Sequence, residues 1–222
     1  ERFEITIHEL GLCTAQPIQT GSPRTFSKND CVVTMTSTGV TADLANNVVS
    51  LPEMDGRPAS NTYTHAYIII TNTFGLRGSV SIQNGSGDEV KYCSGTNGDS
   101  TSGTTAASGF CTAQDHTETL DDFGDGSFSA FFPEATMDGG GKISALLTAA
   151  DANLTTATNK GEVKRLIGVF ETNSGSPVVI NNSTNGLEMQ LTVTDIGYGI
   201  QFVNGEPFDF GSMPFKPVFA TF

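Results

Sequence analysis

The sequence contains no tryptophan and few positively charged residues: 11 Lys and Arg stand against 24 Asp and Glu in 222 residues, a formal net charge of -13. A chain of this charge repels phosphate groups, so neither nucleic acid nor an anionic membrane surface is an expected partner. The lack of tryptophan removes the usual platform for stacking on sugar rings. No apolar run approaches the roughly 18 residues of a membrane-spanning helix, so membrane insertion is not expected.

Charged residues are also scarce, at 16%, and hydrophobic residues make up 37%, so solubility rests mainly on Ser, Thr, Asn and Gly. The 25 glycines are about 11% of the chain, against about 7% in typical proteins. This composition favours strands and turns and excludes a helical bundle. No segment is typical of an interdomain linker and no repeat of 20 to 50 residues is visible, so we predict a single domain over residues 1–222.

Apolar residues at every second position predict several β-strands. Phe3, Ile5 and Ile7 alternate with polar residues in segment 1–10, and segment 63–74 is apolar on both faces, which is typical of a central strand. We therefore predict an all-β fold, an antiparallel β-sandwich of the jelly-roll type. One short helix is also predicted, because five apolar residues recur at helical spacing: Ile143, Leu146, Leu147, Ala150 and Leu154.

The four cysteines permit three disulfide pairings, and none belongs to a zinc or redox motif. Each sequential couple is separated by 18 residues, and we favour Cys13 with Cys31 and Cys93 with Cys111. Disulfides indicate an oxidising compartment. The chain opens at Glu1, without an initiator Met, on a strand pattern, so we expect that an export signal has been removed and that the protein is secreted or at the cell surface. The second disulfide would close segment 94–108, rich in Ser, Thr and Gly, which we predict to be a surface loop.

A glycine-interleaved acidic cluster is the candidate metal site. Carboxylates on flexible backbone are ligands that calcium takes, although the spacing differs from an EF-hand loop and a solvated acidic turn is the alternative. The candidate calcium ligands are Asp121, Asp122, Asp125, Glu134 and Asp138.

No nucleophile elbow, phosphate-binding loop or dinucleotide fingerprint is present, so no enzymatic activity is expected. A hydrolase built on scattered carboxylates is the weakest alternative.

Three segments resemble small secreted β-proteins of bacteria that lack an assigned function: Leu12-Cys13-Thr14, Thr62-Tyr63-Thr64-His65 leading into Ile68-Ile69-Ile70-Thr71, and Tyr92-Cys93. In predicted architecture the chain also resembles jelly-roll subunits of extracellular fibres and tubes, of the TasA/camelysin and cannula types. This resemblance implies strands donated between subunits and, in some members, bridging calcium.

The leading functional hypothesis is a structural subunit of an extracellular filament or tube, a homopolymer in which segment 1–10 of one copy completes the sheet of another. Two alternatives stay open. The strand pairs within its own subunit, or the protein is a secreted module that binds carbohydrate or cell-surface glycans through segment 94–108. The predicted polymer-interface residues are Phe3, Ile5, Ile7, Phe215, Phe219 and Phe222.

Overall fold

The computed structural model describes residues 1–45, 51, 57–83, 89–96, 100–105, 111–137, 140–193, 197–203 and 206–222. Every strand pairing in these ranges is antiparallel, which confirms the prediction of an antiparallel all-β fold. Two 3-10 turns, Lys160–Glu162 and Thr172–Gly175, accompany the strands. The strands are β1 (Arg2–Cys13), β2 (Ile18–Gln19), β3 (Thr25–Phe26), β4 (Cys31–Asp43), β5 (Asn61–Tyr63), β6 (His65–Thr71), β7 (Thr73–Arg77), β8 (Ser79–Gln83), β9 (Glu89–Ser94), β10 (Ser100–Thr105), β11 (His116–Thr119), β12 (Phe131–Thr136), β13 (Lys142–Thr148), β14 (Arg165–Glu171), β15 (Val178–Ile180), β16 (Leu187–Thr192), β17 (Tyr198–Val203), β18 (Glu206–Ser212) and β19 (Lys216–Thr221).

The largest sheet has eight strands and is organised around β1. β4 lies along one edge of β1, while β6 and then β7 lie along the other edge. The sheet continues from β6 through β14 and β13 to β12, and from β7 to β11. Five smaller sheets complete the described structure: β8–β9–β10, β5–β15, β16–β19, β17–β18 and β2–β3. This strand order does not identify a jelly roll, and that finer assignment stays a prediction.

The two faces of the large sheet are covered by different elements. On one face, apolar side chains of β1, β6 and β7 pack with residues from β16, β17 and the segment that follows β18. On the other face, Tyr67, Ile69, Ile167 and Val169 pack with Ile18 of the β2–β3 hairpin. Because both faces are covered, the central strands are apolar on both sides, as the sequence of segment 63–74 predicts.

A β-bulge at His8 divides β1 into two parts. Apolar residues are odd-numbered before His8 and even-numbered after it. The pairings of β1 with β4 and with β6 both shift register between Ile7 and Glu9. One extra residue at a bulge changes which face the following side chains occupy, so the change of parity keeps the apolar residues on one side of the sheet. The residues that share this core are Phe3, Ile5, Ile7 and Leu10.

The helix predicted within segment 143–154 is wrong, because β13 occupies its first part and Ala150 and Leu154 lie beyond the end of that strand. β13 runs between β12 and β14. Leu146 and Leu147 are adjacent in sequence, belong to different clusters and are both 0% exposed. A strand buried on both faces is apolar at nearly every position, and such a run contains helical spacings by chance.

Part of segment 94–108, which its composition predicts to be a surface loop, forms a strand. β10 lies within it and pairs with β9, so that Thr101 is opposite Cys93. Residues 97–99 and 106–108 lie outside the described residues. A strand without apolar side chains gives no period-two signal, whereas its main-chain groups still form the sheet hydrogen bonds.

Candidate assembly site

Both favoured disulfides are present, and they account for all four cysteines. Cys13 of β1 is bonded to Cys31 of β4, its direct partner in the strand register. Cys93 of β9 is bonded to Cys111. Two disulfides indicate an oxidising compartment, since cytosolic thiols are generally kept reduced.

Residues 2–7, which we call the leading segment, lie in the core of their own subunit. Phe3 is 0% exposed, and Ile5 and Ile7 are each 1% exposed. In this structure the three side chains face the core of their own subunit and do not form an exposed surface. A polymer interface at these residues therefore requires the leading segment to leave its own sheet and enter the sheet of another copy.

Phe3 is the most enclosed side chain of the leading segment. Its ring meets three other rings edge-on, a geometry that aromatic pairs favour. The three neighbours come from β7, β17 and the segment before β19, so Phe3 joins the sheet to its covering layer. The centroid distances are 6.0 Å to Phe74, 5.6 Å to Tyr198 and 6.2 Å to Phe215.

The main chain of the leading segment is bound along both edges. The amide of Phe3 donates to Asp43 Oδ1 at 2.9 Å, and the amide of Leu44 donates to the Phe3 carbonyl at 2.8 Å. On the opposite edge, residues 2–4 pair with residues 75–77 of β7. We call the space between β4 and β7 that the leading segment occupies the acceptor groove. The apolar core forms its floor. Without the leading segment this groove would present strand edges, which readily accept another strand.

Tyr198 closes the acceptor groove from the covering layer. Its hydroxyl donates a hydrogen bond to the carbonyl of Arg2. Burial raises the pKa of Tyr198 to about 12, so the hydroxyl stays protonated and able to donate at neutral pH. Sequence reasoning missed Tyr198 and Phe74, because alternation within each strand shows which residues share a face but not which strands meet.

The phenylalanines predicted to cover the groove occupy three different environments. Phe215 is 5% exposed and contacts Phe3. Phe219 is 8% exposed and packs in a separate cluster with Leu12. Phe222 is 69% exposed. Only Phe215 therefore lies against the leading segment.

The part of β1 after the bulge is covalently held in its subunit by the Cys13–Cys31 disulfide. The bulge lies between this tethered part and the leading segment. His8 Nε2 lies 3.1 Å from Thr71 Oγ1. Separation of the leading segment at His8 would break no covalent bond and would leave residues 9–13 held by the disulfide.

No protein-family model matches the chain, and neither the curated proteins nor the solved structures contain a significant match. The fold and the site define the class of protein as an antiparallel all-β protein with two disulfides. Within the described ranges, no helix has the length and apolar character needed to cross a membrane.

The acidic residues at the start of the predicted calcium cluster organise a turn. Asp122 Oδ1 accepts main-chain hydrogen bonds from Ser129 and Gly124, each at 2.8 Å, and these bonds lower the pKa of Asp122. Lys160 Nζ lies 3.2 Å from Asp122 Oδ2 and 3.8 Å from Asp121 Oδ1. The two carboxylates therefore have protein partners in this structure.

The remaining residues of the predicted calcium cluster have surroundings of their own. Glu134 pairs with Lys142, with Oε1 and Nζ 2.7 Å apart, whereas Asp125 is exposed. Asp138 lies outside the described residues. In the part of the chain that the structure describes, no three His, Cys, Asp or Glu side chains are grouped to hold a metal ion. Calcium binding at this cluster stays a prediction.

Two side chains of the edge strand β11 hold the β17–β18 hairpin that carries Tyr198. His116 Nε2 lies 3.1 Å from the Phe210 carbonyl, and Glu118 Oε2 accepts a hydrogen bond from the Ser212 amide at 2.6 Å. Burial raises the pKa of Glu118, and the hydrogen bonds of Ser212 offset only part of that effect.

We expect Glu118→Gln to gain stability relative to the native protein as the pH rises from about 4.5 toward neutrality. A raised folded pKa means that the stability contributed by protonated Glu118 is complete below the unfolded pKa. It is lost as the pH rises through the folded pKa. Glutamine keeps an acceptor for Ser212 without this charge. Urea unfolding at a series of pH values measures the difference, with exposed Glu188→Gln as the control. A difference that shrinks with rising pH would contradict the assignment.

Proposed function

We propose that the protein is a secreted structural subunit of an extracellular filament or tube, assembled by exchange of the leading segment between copies. In the closed subunit the leading segment occupies its own acceptor groove. In the polymer, the leading segment of one copy occupies the groove of the next. The observation that carries this proposal is the division of β1 at His8 into a leading segment with buried alternate side chains and a part tethered by a disulfide.

Exchange would replace each contact of the leading segment by the same contact in a neighbouring copy. Phe3, Ile5 and Ile7 would fill the same pockets, each contributing roughly 1.5 to 3 kcal/mol of burial. The net cost of exchange is therefore small compared with the energy of the contacts, as in domain swapping. Because donor and acceptor are different surfaces of the subunit, the contact is head to tail, and it produces an open polymer wherever the rotation does not close a ring.

The charge of the subunit sets the conditions for assembly. At -13 per copy, neighbouring subunits repel each other. Added salt screens this repulsion, and divalent cations would also neutralise carboxylates. Polymerisation should therefore be examined at raised ionic strength, with and without calcium.

We expect a disulfide introduced by Thr6→Cys and Thr41→Cys to link different copies. These residues are direct partners in the register of β1 with β4, and both lie away from the buried core face. In a closed subunit the new bond forms within one chain, whereas in an exchanged polymer it joins neighbours. Electron microscopy followed by non-reducing gel electrophoresis should show filaments and a covalent ladder, and peptide mapping should identify the new bond beside the native ones.

The control pair is Thr62→Cys with Val179→Cys, which are partners on β5 and β15, both exposed and outside the acceptor groove. This pair should crosslink only within the chain. Monodisperse particles under all conditions, with only intramolecular bonds at both pairs, would overturn the proposal. Discrete particles that are also retained on a glycan matrix would instead favour a carbohydrate-binding module.

A further inference from the structure

A cavity of about 490 Å³ opens on one face of the large sheet, next to the acceptor groove. Alternate residues of β6, β14 and β13 form its floor, and residues from segments 120–123 and 212–215 form part of its walls. The volume falls within the range of about 300 to 1,000 Å³ in which small-molecule sites are found.

Two small residues lie side by side in the floor of the cavity. Ala145 of β13 is the direct partner of Gly168 of β14, and Gly168 is the partner of Ile68 on β6. The neighbouring positions on β14 that face the same way are Leu166 and Phe170. The Phe170 ring and Ile68 Cγ2 lie 3.2 to 3.3 Å from where a Cβ of Gly168 would stand, so the space over Gly168 is filled. The short side chain of Ala145 leaves the room in the floor between rows of large side chains.

The chemistry of the lining selects the kind of ligand. The lining residues that the structure describes include no Asp, Glu, Lys, Arg or His. A charged group in the cavity would lose its water without gaining a partner, and the net charge of -13 adds repulsion for anions. The polar side chains are those of Thr136, Tyr198 and Ser212, all neutral hydroxyls. Six aromatic rings are among the lining residues: Phe74, Phe123, Phe132, Phe170, Tyr198 and Phe215.

We infer that this cavity binds a neutral, apolar small molecule that carries at most a hydroxyl or carbonyl group, and that it discriminates against fatty acids and other anions. Apolar walls supply the affinity, and the hydroxyl of Thr136 lies in the lining for one neutral polar group. The hydroxyls of Ser212 and Tyr198 are hydrogen-bonded to Glu118 and to the Arg2 carbonyl. This inference does not rest on the proposed filament, because the cavity belongs to a single subunit.

The test is titration of the purified protein with Nile red, an uncharged dye whose fluorescence rises in apolar surroundings. We expect saturable binding, displaced by 1-dodecanol at concentrations about tenfold or more below those needed for laurate, which has the same chain length and a negative charge. Ala145→Leu fills the floor and is expected to weaken dye binding by about tenfold or more. Ala152→Leu, the same change at an exposed position, should leave binding unchanged.

Three results would each overturn the inference: no saturable dye binding, binding that Ala145→Leu leaves unchanged, or laurate competing as well as 1-dodecanol. Circular dichroism shows whether Ala145→Leu is folded. If it is not, Ala135→Leu on the edge strand β12 narrows the same cavity from its side and is judged by the same criteria.

Discussion

Deletion of residues 1–8 is expected to leave the remaining chain unable to reach its native fold on its own. The deletion removes Phe3, Ile5 and Ile7, three side chains that are at most 1% exposed. At roughly 1.5 to 3 kcal/mol each, their burial is worth roughly 4.5 to 9 kcal/mol, against a total stability of about 5 to 15 kcal/mol for a typical protein. The loss also exposes strand edges of β4 and β7.

A synthetic peptide of residues 1–8 should restore the fold of the 9–222 chain by filling the acceptor groove. Near-ultraviolet circular dichroism and urea unfolding, with and without the peptide, measure the rescue. The matched control is a peptide with serine in place of Phe3, Ile5 and Ile7, which keeps the main-chain donors and acceptors but not the buried side chains. A 9–222 chain with native stability in the absence of peptide would show that the leading segment is not part of the core.

Rescue of the 9–222 chain by a separate peptide would also test one step of assembly. Polymerisation requires that the acceptor groove bind the leading segment of another molecule. A groove that accepts residues 1–8 from a separate molecule can accept them from a neighbouring copy. If the peptide rescues the fold while the native protein stays monomeric under all conditions, the leading segment belongs to its own subunit and the proposed filament is wrong.

Replacing Cys13 and Cys31 together by alanine is expected to lower the free energy of unfolding by about 3 kcal/mol, the cost predicted for releasing a loop of this length. The double replacement of Cys93 and Cys111 is a matched control, since both disulfides span 18 residues. Urea unfolding of the two variants compares them directly.

The two disulfides should differ in effect because of their position. Cys13–Cys31 joins β1 to β4 within the eight-stranded sheet, whereas Cys93 lies in the three-stranded sheet β8–β9–β10. We expect the small sheet to open locally, so that its disulfide contributes less to global unfolding. An equal or larger loss for the Cys93–Cys111 variant would show that the small sheet unfolds together with the core.

Segment 143–154 shows where sequence reasoning fails. Its apolar residues fit a helical spacing as well as a strand buried on both faces, and only the presence of β12 and β14 on either side distinguishes the two. Segment 94–108 contains a strand that sequence reasoning missed for the opposite reason. Its Ser, Thr and Gly carry no burial pattern, and the strand within it is revealed only by its pairing with β9.

The amino-acid pattern by itself was sufficient for the all-β class and for the buried residues of the leading segment, whereas it permitted three disulfide pairings, of which the structure has the favoured one. It also contains the change of parity at His8 that becomes the bulge. Only the tertiary structure decided that Tyr198 and Phe74 enclose Phe3 and that Ala145 lies beside Gly168 beneath a cavity. The physical reason is that alternation along a strand fixes which side chains share a face, whereas strand order and covering layers depend on contacts between residues far apart in the chain.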